Sequence, residues 1–132
     1  MAGSSGRRGR ITRSADFDRV YRSGRSHATK LFVLHAFPRG DDEVARLGLS
    51  VSRKVGGAVE RNKVKRLLKE AFTAKLTEIK PGTDIVVVAR TGASDFCDRE
   101  GLEGVVKELD ELLIQAGALP KTDEGNEGSV DA

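Results

Sequence analysis

Apolar residues recur along this chain with two periods, and the switches between them divide it into elements. Phe17, Val20 and Tyr21 stand at helical spacing behind Ser14, a residue suited to N-capping, and Gly24 is placed to end a short helix. Lys30 to Phe37 is rich in Phe, Val and Leu and runs into Pro38-Arg39-Gly40-Asp41-Asp42, so a strand and then a turn are expected. A further short strand is expected near Ser26–Thr29. Arg46 to Arg53 alternates, which places Leu47, Leu49 and Val51 on one face of a half-buried strand.

The strongest helical pattern follows Val55-Gly56-Gly57, where two glycines give room for a tight strand-to-helix turn. Val64, Leu67, Leu68, Ala71, Phe72, Leu76 and Ile79 form one apolar stripe, which Pro81-Gly82 stops. Asp84 to Arg90 is apolar on both faces and is expected in the sheet interior. Leu102, Val105, Val106, Leu109, Leu112, Leu113 and Ala116 mark a last helix ending at Gly117. Asp95 and Asp98 are placed to cap it. The order is helix, two or three strands, helix, strand, helix: an α/β protein of the α+β two-layer sandwich kind, with helices on a small mixed sheet. One domain is expected over residues 14–117. Residues 1–13, all but devoid of apolar groups, read as a flexible basic arm, and residues 118–132 as a disordered acidic tail.

Charge changes the picture from fold to function. The 132 residues carry a net charge of only +3, but the charge is segregated. Residues 1–30 hold eight basic and two acidic groups, and residues 46–75 hold nine and two. Residues 76–132 hold five and thirteen. Such asymmetry favours a polyanionic partner, nucleic acid first, for one part of the surface. The single cysteine, Cys97, excludes an intramolecular disulfide and suits a reducing compartment. Apolar runs are too short to span a membrane and no secretory signal opens the chain, so a soluble cytoplasmic protein is expected.

Asn62, Lys65, Arg66 and Lys69 fall at i, i+3, i+4 and i+7, opposite the apolar stripe of the long helix. Like charges so spaced repel by roughly 0.2–0.5 kcal/mol per pair. Only Glu60 and Glu70 flank them, an imbalance that phosphates would relieve. Arg53 and Lys54 arrive at the helix N-terminus, where free N–H groups and the dipole also favour anions. On the short first helix, Phe17 and Tyr21 sit one turn apart among Arg19, Arg22 and Arg25, as a platform for unpaired bases requires. Packing of both rings on the sheet is the competing reading.

The segment Gly48-Leu49-Ser50-Val51-Ser52-Arg53-Lys54, continued through Ala58-Val59-Glu60-Arg61-Asn62-Lys63-Val64-Lys65-Arg66 to Glu70, resembles the signature of the bacterial ribonuclease P protein subunit. That pattern runs G-L-S-V-S-[KR]-K-x-G-x-A-V-x-R-N-x-x-K-R-x-x-[KR]-E. Asp16 to Gly24, Phe32-Val33-Leu34 and Asp84 to Arg90 are similar to the family's first helix and two of its strands, so about 100 of the 132 residues are covered. The resemblance implies a left-handed βαβ crossover, against the roughly 98% right-handed rule. It also implies the protein subunit of an RNA-based endoribonuclease that removes the 5′ leader of precursor tRNA. The catalytic RNA would bind at Arg61, Asn62, Lys65 and Arg66, joined on the basic surface by Arg53, Lys54 and Lys69. The leader would lie on Phe17, Tyr21 and His35, the last standing where the family often has an aromatic ring.

Catalysis is then expected in the RNA, with Mg²⁺ at the RNA centre. No catalytic residue and no metal site are expected in the protein. His27 and His35 lack a Cys or carboxylate at ligand spacing. Cys97 has no His nearby in sequence and reads as an incidental thiol. A stand-alone nucleic-acid-binding module, such as a ribosomal protein of similar shape, is the other reading. The two separate on whether the chain lowers the Mg²⁺ that a leader-cleaving RNA requires.

Overall fold

The computed structural model describes residues 10–120, with the element order α1 (Ser14–Ser23), β1 (Arg25–Ala28), β2 (Phe32–Pro38), β3 (Arg46–Val51), α2 (Ala58–Lys75), β4 (Thr83–Ala89) and α3 (Ala93–Gln115). The strands form one mixed sheet in the order β1-β2-β4-β3. β2 is antiparallel to both β1 and β4, whereas β3 and β4 are parallel and joined through α2 as a βαβ unit. The doubly apolar β4 takes an interior place because both its faces need cover. Ile85, Val87 and Ala89 enter the main core, and Val86 and Val88 the opposite face.

On the main face, α2 contributes Val64, Leu68, Ala71 and Phe72, and α3 contributes Val105, Leu109, Leu112 and Leu113. They pack on Phe32, Leu34 and Leu47. The second face is not bare: α1 covers it through Phe17 and the fully buried Val20, with Ile11 beside them. Periodicity gives each helix an apolar side but does not say which face of the sheet it meets, so this smaller layer is a property of the folded chain.

Several boundaries differ from the sequence reading. Ser14 is the first helical residue of α1 rather than its cap, and Arg13 holds the N-cap position without a side-chain bond. α2 ends at Lys75, and Ile79 is buried in the following turn. The last helix starts nine residues before Leu102, at Ala93, and breaks at Gly101 (φ 64°, ψ −161°), a conformation that glycine tolerates. Asp95 and Asp98 lie inside its first segment and do not cap it. The expected arm and tail also lose residues to the fold. Ile11 is buried and donates its N–H to Leu47 C=O at 3.0 Å, and Arg10 bridges Leu47. Ala118 and Leu119 are buried against the main core, and Ala118 C=O accepts from Lys80 N–H at 2.7 Å. Isolated apolar residues beside charged sequence have no period, whereas the folded surface offers them an open strand edge and an open end of the core. The rest of the arm and tail, residues 1–9 and 121–132, lies outside the described residues.

Candidate nucleic-acid interface

Burial of Val64, Leu68, Ala71 and Phe72 fixes the rotation of α2 and so decides where its cations go. Lys63 and Lys75 turn toward α3 and are neutralised there, by Asp98 at 2.5 Å and by Asp110 at 3.4 Å. Arg61, Lys65, Arg66 and Lys69 have no ion-pair partner among the described residues. Asn62, Arg66 and Lys69 are exposed, and Arg61 and Lys65 half-buried. The helix thus sorts its positive charge into a structural side and an unsatisfied outer side. Arg53 and Lys54 stand exposed in the turn before it, where Lys54 N–H donates to Ser52 Oγ at 3.3 Å. Gly56 (φ 154°) lets the chain swing from β3 into α2, and a Cβ there would meet Glu60 at 2.8 Å.

The three expected aromatic positions come together on the other face. Tyr21, 42% exposed, meets His35 edge-on with ring centroids 5.0 Å apart. Phe17 lies 6.4 Å from Tyr21. Phe17 is half-buried against Ile11, Val20 and Gly48, so it mainly packs α1 down, while Tyr21 presents ring to solvent. Burial pushes the His35 pKa below the ordinary histidine value, favouring the neutral ring.

A groove of about 330 Å³ joins the two surfaces around the free edge of β3. Lys65, Lys69, Phe72 and Thr73 of α2 line it on one side, and Arg10 and Phe17 on the other. Residues assigned by sequence to separate roles therefore share one depression, and Arg10 joins them from within the expected arm.

A charge cluster that the sequence reading missed holds this arrangement. Asp84, fully buried at the start of β4, accepts from Arg39 at 2.6 Å and from Arg46 at 2.8 and 2.7 Å. Arg46 also reaches Asp16 of α1 at 3.6 Å. Hydrogen bonding to Asp41, then to Asp84, raises the Arg39 pKa, and hydrogen bonding to Asp84 raises that of Arg46. One carboxylate thus ties together β3, β4 and the turn after β2. The signal was a lone Asp opening an apolar strand, a position that demands a buried partner.

His27 pairs with Leu34 and His35 with Ser26, so the two histidines lie on opposite faces of the sheet. His27 Nε2 is buried without a hydrogen-bond partner among the described residues. No group of three or more His, Cys, Asp or Glu among the described residues is placed to hold a metal ion. Cys97 is buried, and burial raises its thiol pKa, which makes it a poor nucleophile. No described helix is long and apolar enough to cross a membrane.

The profile of the ribonuclease P family matches residues 6–117. The ribonuclease P protein component of Shouchella clausii is 41% identical over 115 residues, covering 85% of this chain and 94% of its own. That of Clostridioides difficile is 39% identical over 104 residues, covering 76% and 90%. Among solved structures, the RNase P protein of Staphylococcus aureus superposes with a TM-score of 0.74 at 36% identity, covering 84% of this chain and 97% of that one. The Thermotoga maritima protein gives 0.72, also at 36% identity, covering 80% and 96%.

Proposed function

The chain belongs to the ribonuclease P protein family, and from that premise we propose that it binds the catalytic RNA through α2 and the 5′ leader of precursor tRNA through the α1 cleft. The observation that carries this reading is the sorting of charge on α2. Cations toward α3 are paired, and those on the outer side have no ion-pair partner among the described residues. Phosphates would neutralise Arg61, Lys65, Arg66 and Lys69 and release their counterions, with Arg53 and Lys54 extending the contact and Asn62 adding a neutral donor. In the cleft, Tyr21 is the stacking surface, His35 braces its ring, and Phe17 seats the helix that carries it.

The protein's share of the reaction is binding and orientation. It holds the leader against the complex, so the scissile phosphodiester meets the RNA centre in a fixed geometry. Magnesium ions at that RNA centre would supply the Lewis acidity for hydrolysis. The working compartment of this reading is the cytoplasm.

Adding the purified chain to ribonuclease P RNA and precursor tRNA, across a Mg²⁺ titration, tests the proposal. Leader cleavage should move from very high to moderate Mg²⁺. An unmoved titration, or cleavage by the chain without RNA, would refute it.

A further inference from the structure

The groove beside β3 contains more than cations. Leu47 gives its carbonyl to Ile11 N–H across the free edge at 3.0 Å. Strand alternation therefore points the N–H and C=O of Leu49 to the same edge. Among the described residues nothing takes them up. Phe17, Leu49 and Phe72 give the groove apolar walls, Arg10, Lys65 and Lys69 stand in its lining, and no carboxylate does. Its volume of about 330 Å³ falls within the range of small-ligand sites, roughly 300–1,000 Å³.

An unpaired nucleotide needs this combination: an apolar surface for the base, a donor and an acceptor for its edge, and cations for its phosphate. We propose that the β3-edge groove is a nucleotide site that receives one unpaired nucleotide extruded from the catalytic RNA. The base lies against the half-buried Phe17 and Leu49 with its edge on the Leu49 backbone, and the phosphate lies beside Lys65 and Lys69. The inference rests on α2 as the RNA-binding helix, because both lysines belong to its outer side. An extended peptide would also use the strand edge, but three cations without a carboxylate favour a polyanion.

Thr73 is exposed on α2 and lines the groove. Thr73→Trp fills the space without removing charge, and the two residues have similar helix propensity. Affinity of the full chain for ribonuclease P RNA should fall roughly tenfold to a hundredfold, the size of one lost base stack. The slope of log affinity against log salt should stay unchanged, and Thr73→Ala should match wild type. Arg66→Ala, outside the groove, should weaken binding and flatten that slope by less than about one unit. If Arg66→Ala weakens binding and Thr73→Trp does not, the groove is not a nucleotide site. If Arg66→Ala changes neither quantity, the reading of α2 itself falls. An equal loss in Thr73→Ala would make the hydroxyl the contact, and a loss confined to precursor tRNA would give the groove to the leader. Unchanged RNA affinity, with an acidic extended peptide bound by wild type and not by Thr73→Trp, would give it to a protein strand.

Discussion

Gly48→Ala is the sharpest test of how the cleft is built. A Cβ at Gly48 would lie 2.7 Å from both Cε1 and Cζ of Phe17 and 3.3 Å from Ile11 Cβ. Ordinary carbon contacts sit at about 3.5–4.0 Å, so the methyl is about 1 Å too close. Gly48 lies in β3, which is held by the ladder to β4, so the half-buried phenyl ring must give way. Overpacking of this kind costs about 1–3 kcal/mol. In a Phe17→Ala background the same substitution meets no ring and should cost under about 0.5 kcal/mol, since Ala loses less backbone entropy than Gly on folding. Urea denaturation of the four proteins gives the coupling directly. Equal cost of Gly48→Ala in both backgrounds would mean that Phe17 does not seat α1 on β3, and would sink this account of the cleft.

Asp84→Asn should destabilise by about 3–5 kcal/mol in the same assay, because Arg39 and Arg46 lose the buried carboxylate that neutralises them; a cost near zero would show that the cluster is dispensable. Leu68→Ala, deep in the main core, should cost about 2–5 kcal/mol while leaving the salt dependence of RNA binding as it was. Tyr21→Ala should weaken binding of precursor tRNA to the assembled complex by roughly tenfold to a hundredfold and leave mature tRNA unaffected, read as the ratio of the two Kd values at fixed salt and Mg²⁺. Equal losses would place Tyr21 outside the leader site. Burial lowers the His35 pKa, so the unfolded chain takes up the proton more readily than the folded one. That contribution to stability is present above the ordinary histidine value and is lost as pH falls below it. The decline from about pH 7.5 to about pH 5 should be shallower in His35→Gln, and parallel curves would contradict the burial.

Much of this architecture was legible without coordinates. The stripe from Val64 to Phe72, the alternation around Leu47 and the doubly apolar run from Ile85 to Ala89 each follow from nearest neighbours in sequence, because a helix or strand repeats every few residues. The basic stripe was legible for the same reason: once the apolar side of α2 is known, Asn62, Arg66 and Lys69 must face away. The break at Gly101 was not legible, since a glycine between two helical segments reads as a start as easily as a kink. Nor was the burial of Ile11, Ala118 and Leu119, which depends on surfaces that remote segments create.

The sequence by itself therefore determined the elements, their apolar sides, the segregation of charge and the resemblance to one family. Only the tertiary structure decided which face of the sheet α1 covers, how Asp84 collects Arg39 and Arg46, and that Lys63 is paired while Lys65 opens onto a groove. The physical reason is range. Periodicity and propensity act over a few residues, whereas a buried carboxylate, a ring on a glycine and an unpaired strand edge arise where segments dozens of residues apart are brought into contact.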